Sequence, residues 1–389
     1  MTGKKIKILF VIDSLGGGGT ERSLAELLPF LIQAGFTPII ACFYHREGVE
    51  SEVIRQGIDV RFLKSKGLFT WARQLRQLIK GERPDIVHTM LADANLAGRL
   101  AAMGSPAVVI SSLVNTPYLP VRLKDPRINV LKFRLVQLID TLTSHLLTTH
   151  FHAVSQAAKD AAVSSLRLPP ERITVVERGR DPNRLGLPSA ERRSQARQRL
   201  QLAEQDEVIV NVGSHEYQKG QKYLLEAFAA ISSVHPRLIL LVAGRQGNLT
   251  SELENFKHQL GLNGQVRFLG HRQDVAEILA AADLFVFPSL YEGLPGAVLE
   301  AMALGLPIVA SNIPPVREIV EENRNAVLVA PASASELTKA IMSLLADHDK
   351  AFAYGRHSRK IFETHFTLQQ SAARMIALYR RIAAVDKVD

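Results

Sequence analysis

Glu292 and Glu300 stand eight positions apart in Pro288-Ser-Leu-Tyr-Glu292-Gly-Leu-Pro-Gly-Ala-Val-Leu-Glu300-Ala-Met-Ala-Leu-Gly305-Leu-Pro307. Glu292 follows an apolar run and sits among Gly and Pro, so it reads as a loop residue held at the carboxyl edge of a strand. Glu300 falls about a turn into the helix that this loop starts, and the free N–H groups at such a helix start suit a phosphate. Carboxylates placed this way accept paired hydrogen bonds from sugar hydroxyls. A second candidate is the loop Asp13-Ser-Leu-Gly16-Gly17-Gly18-Gly19-Thr20-Glu21-Arg22. Four glycines between a strand and a helix let backbone amides come close to a negatively charged ligand. The loop is not the phosphate loop of nucleotide hydrolases, because Gly19 is followed by Thr-Glu. Nor is it the dinucleotide fingerprint, because Glu21 stands where a third small residue belongs. A plain tight turn is the alternative reading.

Positioning these loops requires strands that end where the loops begin. β-rich runs at 5–12, 37–43, 58–63, 85–89, 107–112 and 150–155 alternate with helical patterns, such as Leu24, Leu27, Leu28 and Leu31 on one face. A second series runs through 208–212, 237–243, 266–269, 284–288 and 307–310, with helices predicted at 223–232, 253–260, 275–281 and 296–304. Alternation of this kind implies parallel sheets layered with helices. Residues 179–199 are polar and basic, broken by Pro182, Gly186 and Pro188, and read as the hinge. The predicted organisation is a first Rossmann-like domain, 1–185, a second over 186–364, and a C-terminal helix, 365–389, crossing back to the first. Two doubly wound α/β halves facing a cleft would hold ligand outside the carboxyl ends of their strands.

The 389 residues carry a net charge of +9, with 47% apolar and 22% charged residues, an ordinary globular composition. All of the excess lies in the first half: residues 1–185 have 25 Lys and Arg against 16 Asp and Glu, and the remainder has 22 of each. Such a field favours an anionic partner. Nucleic acid is the wrong class, since no aromatics are interleaved with the basic residues. Lys4, Lys5 and Lys7 precede an apolar stretch too short for a secretory core, so no signal peptide is expected. The single Cys42 rules out an internal disulfide, and His145, His150 and His152 lack metal-ligand spacing. The expectation is a cytoplasmic protein.

On the Glu-x7-Glu segment, the following Ala301-Met-Ala-Leu-Gly-Leu-Pro-Ile-Val-Ala-Ser311, the glycine loop, Val212-Gly-Ser-His-Glu-Tyr-Gln-Lys219-Gly220 and Phe151-His-Ala-Val-Ser155, the chain resembles the retaining GT-B-fold glycosyltransferases of family 4. The resemblance implies sugar transfer from a nucleotide-diphosphate donor, with UDP-sugars favoured over GDP-sugars, and neither metal nor other cofactor. It implies that Glu300 binds the donor ribose, that Glu292 binds the hydroxyls of the transferred sugar, that Gly293 and Leu294 belong to the donor site, and that Lys219 faces the diphosphate, with Glu292, Lys219 and His88 as the catalytic residues. Gly17 and Gly18 would turn their amides to phosphate or acceptor. His88 matches a histidine near the donor sugar, its alternative being a satisfied interior residue. The backbone at Arg267 and Phe268 would border the base.

Two departures stand out. Ser214 occupies a position where the family usually has arginine; His215, Lys222 or Arg245 would have to compensate. The usual Asn-Gly-x-Asp reads Arg178-Gly179-Arg180-Asp181, which adds arginines that either restore phosphate contacts or belong to a solvated linker. The acceptor expected is a glycan or a lipid-linked acceptor in cell-surface polysaccharide or glycolipid synthesis. A helix predicted to start at Asp125-Pro126 places Ile128, Leu131, Leu135, Leu138 and Leu142 on one stripe, read as its inner face. Arg127, Lys132 and Arg134 fall elsewhere, so a peripheral seat on an anionic membrane is the competing hypothesis. Other classes considered are a nucleotide-sugar-binding protein without activity and a nucleotide-sugar epimerase of similar fold.

Overall fold

The computed structural model describes residues 5–64 and 67–385. Lys4 and the ends of the predicted spans 1–185 and 365–389 lie outside the described residues. The chain forms two compact units, one holding the described residues through Gly179 and again from Leu368, the other Arg180–Thr367. The changeovers thus fall at 179/180 and 367/368, where the sequence suggested 185/186 and 364/365. Segment 180–199 is not a solvated hinge. It folds into helices Pro182–Leu185 and Ala190–Arg199, capped by the side chains of Asp181 and Ser189. Arg197, 1% exposed, pairs with Asp283 at 2.8 Å and donates to the carbonyls of Ala203, Glu204 and Asp206, which makes the segment part of the second unit.

The first unit is built on seven parallel strands: β1 Lys7–Ser14, β2 Thr37–Tyr44, β3 Asp59–Phe62, β4 Ile86–Met90, β5 Val108–Leu113, β6 His150–Ala153 and β7 Ile173–Val175. Their order is β3-β2-β1-β4-β5-β6-β7. Both faces are covered, which is why the strands are continuous apolar runs. Ile8, Phe10 and Ile12 of β1 pack with helix Gly19–Gln33 and with Ala372, Met375, Leu378 and Tyr379 of helix Leu368–Val385. Leu9 and Val11 face Trp71, Leu75, Ala94 and Ala97 on the other side.

A chain of buried hydrogen bonds crosses this sheet. His152 Nε2 lies 3.0 Å from the carbonyl of Val176, which can only accept. Its Nδ1 must therefore accept from Ser112, at 3.0 Å. Ser112 in turn accepts from His88 Nε2 at 2.7 Å, which leaves His88 Nδ1 to accept from the Tyr379 hydroxyl at 2.7 Å. Both rings are neutral, with burial pushing His88 well below the usual histidine value and His152 down to about 4. Tyr379 also sets its ring edge-on to Phe10 and Phe36, so the last helix is fastened by both apolar and polar contacts.

Helix Val130–Leu147 corrects the sequence reading twice. It starts at Val130, with Asn129 accepting from the Lys132 amide, while Pro120–Lys124 forms a short 3-10 turn. Its leucine stripe also faces outward, with Leu131 82%, Leu135 56%, Leu138 55%, Leu142 52% and Leu146 77% exposed. The inner seam is mostly polar: Phe133, Gln137, Asp140 and Ser144. Asp140 takes the guanidinium of fully buried Arg99 at 2.6 Å and the Tyr118 hydroxyl at 2.9 Å, and Gln137 donates to the Ser165 carbonyl. Among the described residues no helix is long and apolar enough to cross a membrane.

The second unit has six parallel strands: β8 Glu207–Val212, β9 Leu238–Ala243, β10 Val266–Gly270, β11 Leu284–Phe287, β12 Ile308–Ser311 and β13 Ala326–Val329, in the order β10-β9-β8-β11-β12-β13. Replacing Tyr379 by Phe keeps the ring but strands His88 Nδ1 without a donor. An unsatisfied buried acceptor costs about 1–3 kcal/mol. The expected result is a lower denaturant midpoint for the first unit with unchanged secondary structure by circular dichroism.

Candidate active site

In a doubly wound sheet the loops on either side of the point where strand order reverses splay apart and leave a ligand crevice. In the second unit that point lies between β8 and β11. The loop after β8 carries Gly213, Ser214 and Lys219, and the loop after β11 carries Glu292, Gly293 and Leu294. A backbone bond from Leu290 N–H to the Gln218 carbonyl, 2.8 Å, stitches the two loops together. Lys219 Nζ and Glu292 Oε1 meet at 2.6 Å, with Glu292 7% exposed, and the ammonium lies 5.9 Å from the Phe287 ring centre. The lysine stem passes along Gly213, where a Cβ would lie 3.2 Å from its methylenes. Two of the sequence-predicted residues are thereby brought into direct contact.

Helix Gly296–Ala303 follows, and Glu300 lies one turn above Gly296 on the same face. Glu300 Oε1 accepts from Nε of Arg180 at 2.7 Å, and Arg184 stands 3.7 Å away. Arg180 is 2% exposed and its guanidinium rests on Gly296, where a Cβ would collide with it. Arg180 is therefore neither a linker residue nor a cation open to solvent. Leu294 is buried, 2% exposed.

The structure sorts the cations considered in place of arginine at Ser214. His215 is 2% exposed, bonded to Thr250 at 3.1 Å and tilted against the Phe268 ring, and burial lowers its pKa. Lys222 is exposed and lies over Phe256. Arg245, half-buried at the carboxyl end of β9, has a carbonyl that accepts from the His215 amide, and its guanidinium makes no hydrogen bond or ion pair with the described residues. Arg267 points away, donating to the carbonyls of Leu200 and Gln201.

In the first unit the corresponding reversal lies between β1 and β4. The glycine loop is there, but the carboxylate of Glu21, 6% exposed, folds over Gly18. Negative charge on that helix start suits a hydroxyl better than a phosphate at Gly17 and Gly18. His88 does not face this edge. It is completely buried with both ring nitrogens engaged, so a catalytic His88 is ruled out in favour of the interior alternative. The residue that sequence reasoning missed is Asp13, at the end of β1, whose Oδ1 accepts from the Ala94 amide at 2.9 Å. Burial, with Asp93 and Glu21 nearby, pushes its carboxyl from 3.8 to about 7. Among the described residues no three His, Cys, Asp or Glu side chains converge to hold a metal ion.

Two doubly wound parallel sheets in one chain, with a cation and a carboxylate paired at a reversal point, define a GT-B-type transferase architecture. The chain belongs to the GT-B-fold glycosyltransferases: residues 17–184 match the model for glycosyltransferase family 4, and residues 192–361 match that for glycosyl transferases group 1. HepE from Anabaena, crystallised with UDP and glucose, superposes with a TM-score of 0.85 over 97% of this chain and 100% of its own, at 22% identity, a likeness of fold. The UDP-Gal:α-D-GlcNAc-diphosphoundecaprenol α-1,3-galactosyltransferase of Escherichia coli is 30% identical over 61% of this chain and 60% of its own length. The lipopolysaccharide glucosyltransferase WaaG of Escherichia coli K12 is 28% identical over 53% and 56%. The chain thus spans three-fifths or less of these curated relatives.

The raised Asp13 value predicts a pH signature. Between the ordinary 3.8 and about 7 the folded chain keeps a proton that the unfolded chain releases. The stability linked to this group is therefore complete below the ordinary value and is lost as pH rises to about 7. Asp13→Asn, which keeps the acceptor for Ala94, should flatten this dependence and leave the variant about 2–4 kcal/mol better off than wild type at pH 8 relative to pH 4. Urea unfolding midpoints at both pH values measure it.

Proposed function

We propose that the chain is a retaining hexosyltransferase that takes its sugar from a UDP-sugar and delivers it to a lipid-linked glycan in cell-surface glycan synthesis. The observation that carries this reading is the Lys219–Glu292 pair at the β8–β11 reversal. A donor diphosphate competes for Lys219, and sugar hydroxyls compete for the freed Glu292, so the pair marks the junction between the two chemical halves of a nucleotide-sugar. UDP bound to HepE and the UDP-Gal donor in the name of the galactosyltransferase support the base.

The chemistry follows from where charge builds. The anomeric carbon–oxygen bond lengthens, positive charge spreads over the sugar ring, and negative charge collects on the departing diphosphate. Lys219, held in place beside Glu292, and Arg245 stabilise that charge more in the transition state than in the ground state. The acceptor hydroxyl bonds to the anomeric carbon on the face the diphosphate leaves, and its proton passes to the leaving phosphate oxygen. Glu292 holds the sugar hydroxyls and Glu300 the ribose, while no residue becomes covalently attached.

The acceptor side rests on helix Val130–Leu147. Exposed leucines beside Lys132 and Arg134, with Arg122, Lys124 and Arg127 just before, suit the interface of an anionic bilayer. A cavity of about 660 Å³ under the helix, lined by Leu113, Val114, Tyr118, Phe133, Val136 and Arg122, suits an amphiphilic acceptor.

Titration with UDP and GDP tests the donor, and failure of both to bind sinks the reading. Lys219→Ala should lower turnover at least 100-fold, on the order of the loss of one oxyanion donor, with a smaller loss of affinity. Arg245→Gln should raise the donor Kd about tenfold or more, as for one charged hydrogen bond. For the membrane, co-sedimentation with phosphatidylglycerol vesicles should be strong at low salt and abolished by Leu131→Glu with Leu138→Glu. Absence of binding, or a dimer in solution that buries this stripe, overturns the membrane assignment.

A further inference from the structure

Arg180 is held unusually firmly for a residue in a stretch that reads as a linker. Its amide donates to the Phe366 carbonyl at 3.0 Å, and it forms a parallel bridge with Thr367, so the backbone is fixed by the segment that closes the second unit. Its side chain is buried, pressed flat on Gly296, and directs Nε to Glu300 Oε1 at 2.7 Å. Gly296 is what makes room, since any larger residue there would collide with the guanidinium. Arg184 approaches the same oxygen. The other oxygen, Oε2, accepts no hydrogen bond from the described residues, and the Glu300 side chain is 14% exposed.

A glutamate has three rotatable bonds before its carboxylate, and freezing them costs free energy each time a ligand binds. A planar guanidinium seated on a glycine and bonded through Nε removes that freedom in advance, because its direction is set by its own packing. It also occupies one carboxylate oxygen and leaves the second for a ligand.

We propose that Arg180 is a positioning residue for nucleoside recognition: it fixes the Glu300 carboxylate so that the free oxygen meets a ribose hydroxyl. This rests on the donor reading given above. Arg180 thus acts through Glu300 and not as a replacement phosphate cation.

The test compares UDP with 2′-deoxy-UDP and 3′-deoxy-UDP by calorimetry on the full chain. Wild type should prefer UDP over at least one deoxy analogue by about tenfold or more, the loss of one hydrogen bond to a charged group. Arg180→Lys and Arg180→Met should bring that ratio to within about threefold of unity, chiefly by weakening UDP, and Glu300→Gln should do the same. Two variants of different size guard against simple misfolding, and near-ultraviolet circular dichroism confirms the fold. If the Arg180 variants weaken all three nucleotides equally and keep the wild-type ratio, Arg180 serves the fold or the phosphate, and the proposal is overturned while UDP recognition stands. If wild type binds UDP but does not distinguish the analogues, the proposal falls as well. A chain that binds none of the three removes the donor reading itself.

Discussion

Lys219 and Glu292 are neighbours because β8 and β11 are hydrogen-bonded side by side although β9 and β10 come between them in the chain. That reversal of winding is the constraint behind the rest of the second unit. It opens a gap at the carboxyl edge of the sheet, and the two loops leaving it bring Lys219 and Glu292 together there at 2.6 Å. Glycine at 213 and at 296 then lets a lysine stem and an arginine fork lie flat against backbone, so that the charges converge on a small volume. A partly buried ion pair of this kind is weak support for stability, since both partners give up water to form it. Its placement is better explained as a site held ready for a ligand that carries both hydroxyls and phosphate.

The layered architecture was legible from residues alone because strands buried on both faces read as unbroken apolar runs, and helices between them keep a 3.6-residue period. The Glu-x7-Glu segment was equally legible, since Gly and Pro on one side and a helix pattern on the other leave little choice of geometry. The strands that escaped notice, Ile173–Val175 and Ala326–Val329, are short edges with half-exposed positions, too brief to show a period. His88 could not be separated from a site residue by inspection. Its burial depends on Tyr379, 291 positions away, and on His152 across two strands.

Helix Val130–Leu147 shows why a periodic stripe fixes which residues share a face but not which face is inside. Arg99 arrives from a separate helix and is fully buried, so it demands a carboxylate, and Asp140 meets that demand. A buried cation left unpaired is costly, and the helix meets that demand by turning its polar seam inward. Most of the basic excess of the first 185 residues and this outward apolar stripe then fall in the same unit, where each favours an anionic, apolar-cored partner such as a bilayer.

Helix Leu368–Val385 completes the apolar layer over Ile8, Phe10 and Ile12, although the whole of the second unit is translated before it. The consequence is an order of events during synthesis. The inserted unit is continuous in sequence and has every strand it needs while the ribosome is still at work. The strands of the first unit must wait, one sheet face uncovered, until helix Leu368–Val385 emerges. A chain cut just before Leu368 therefore keeps the later-made sheet intact and strands the one made first.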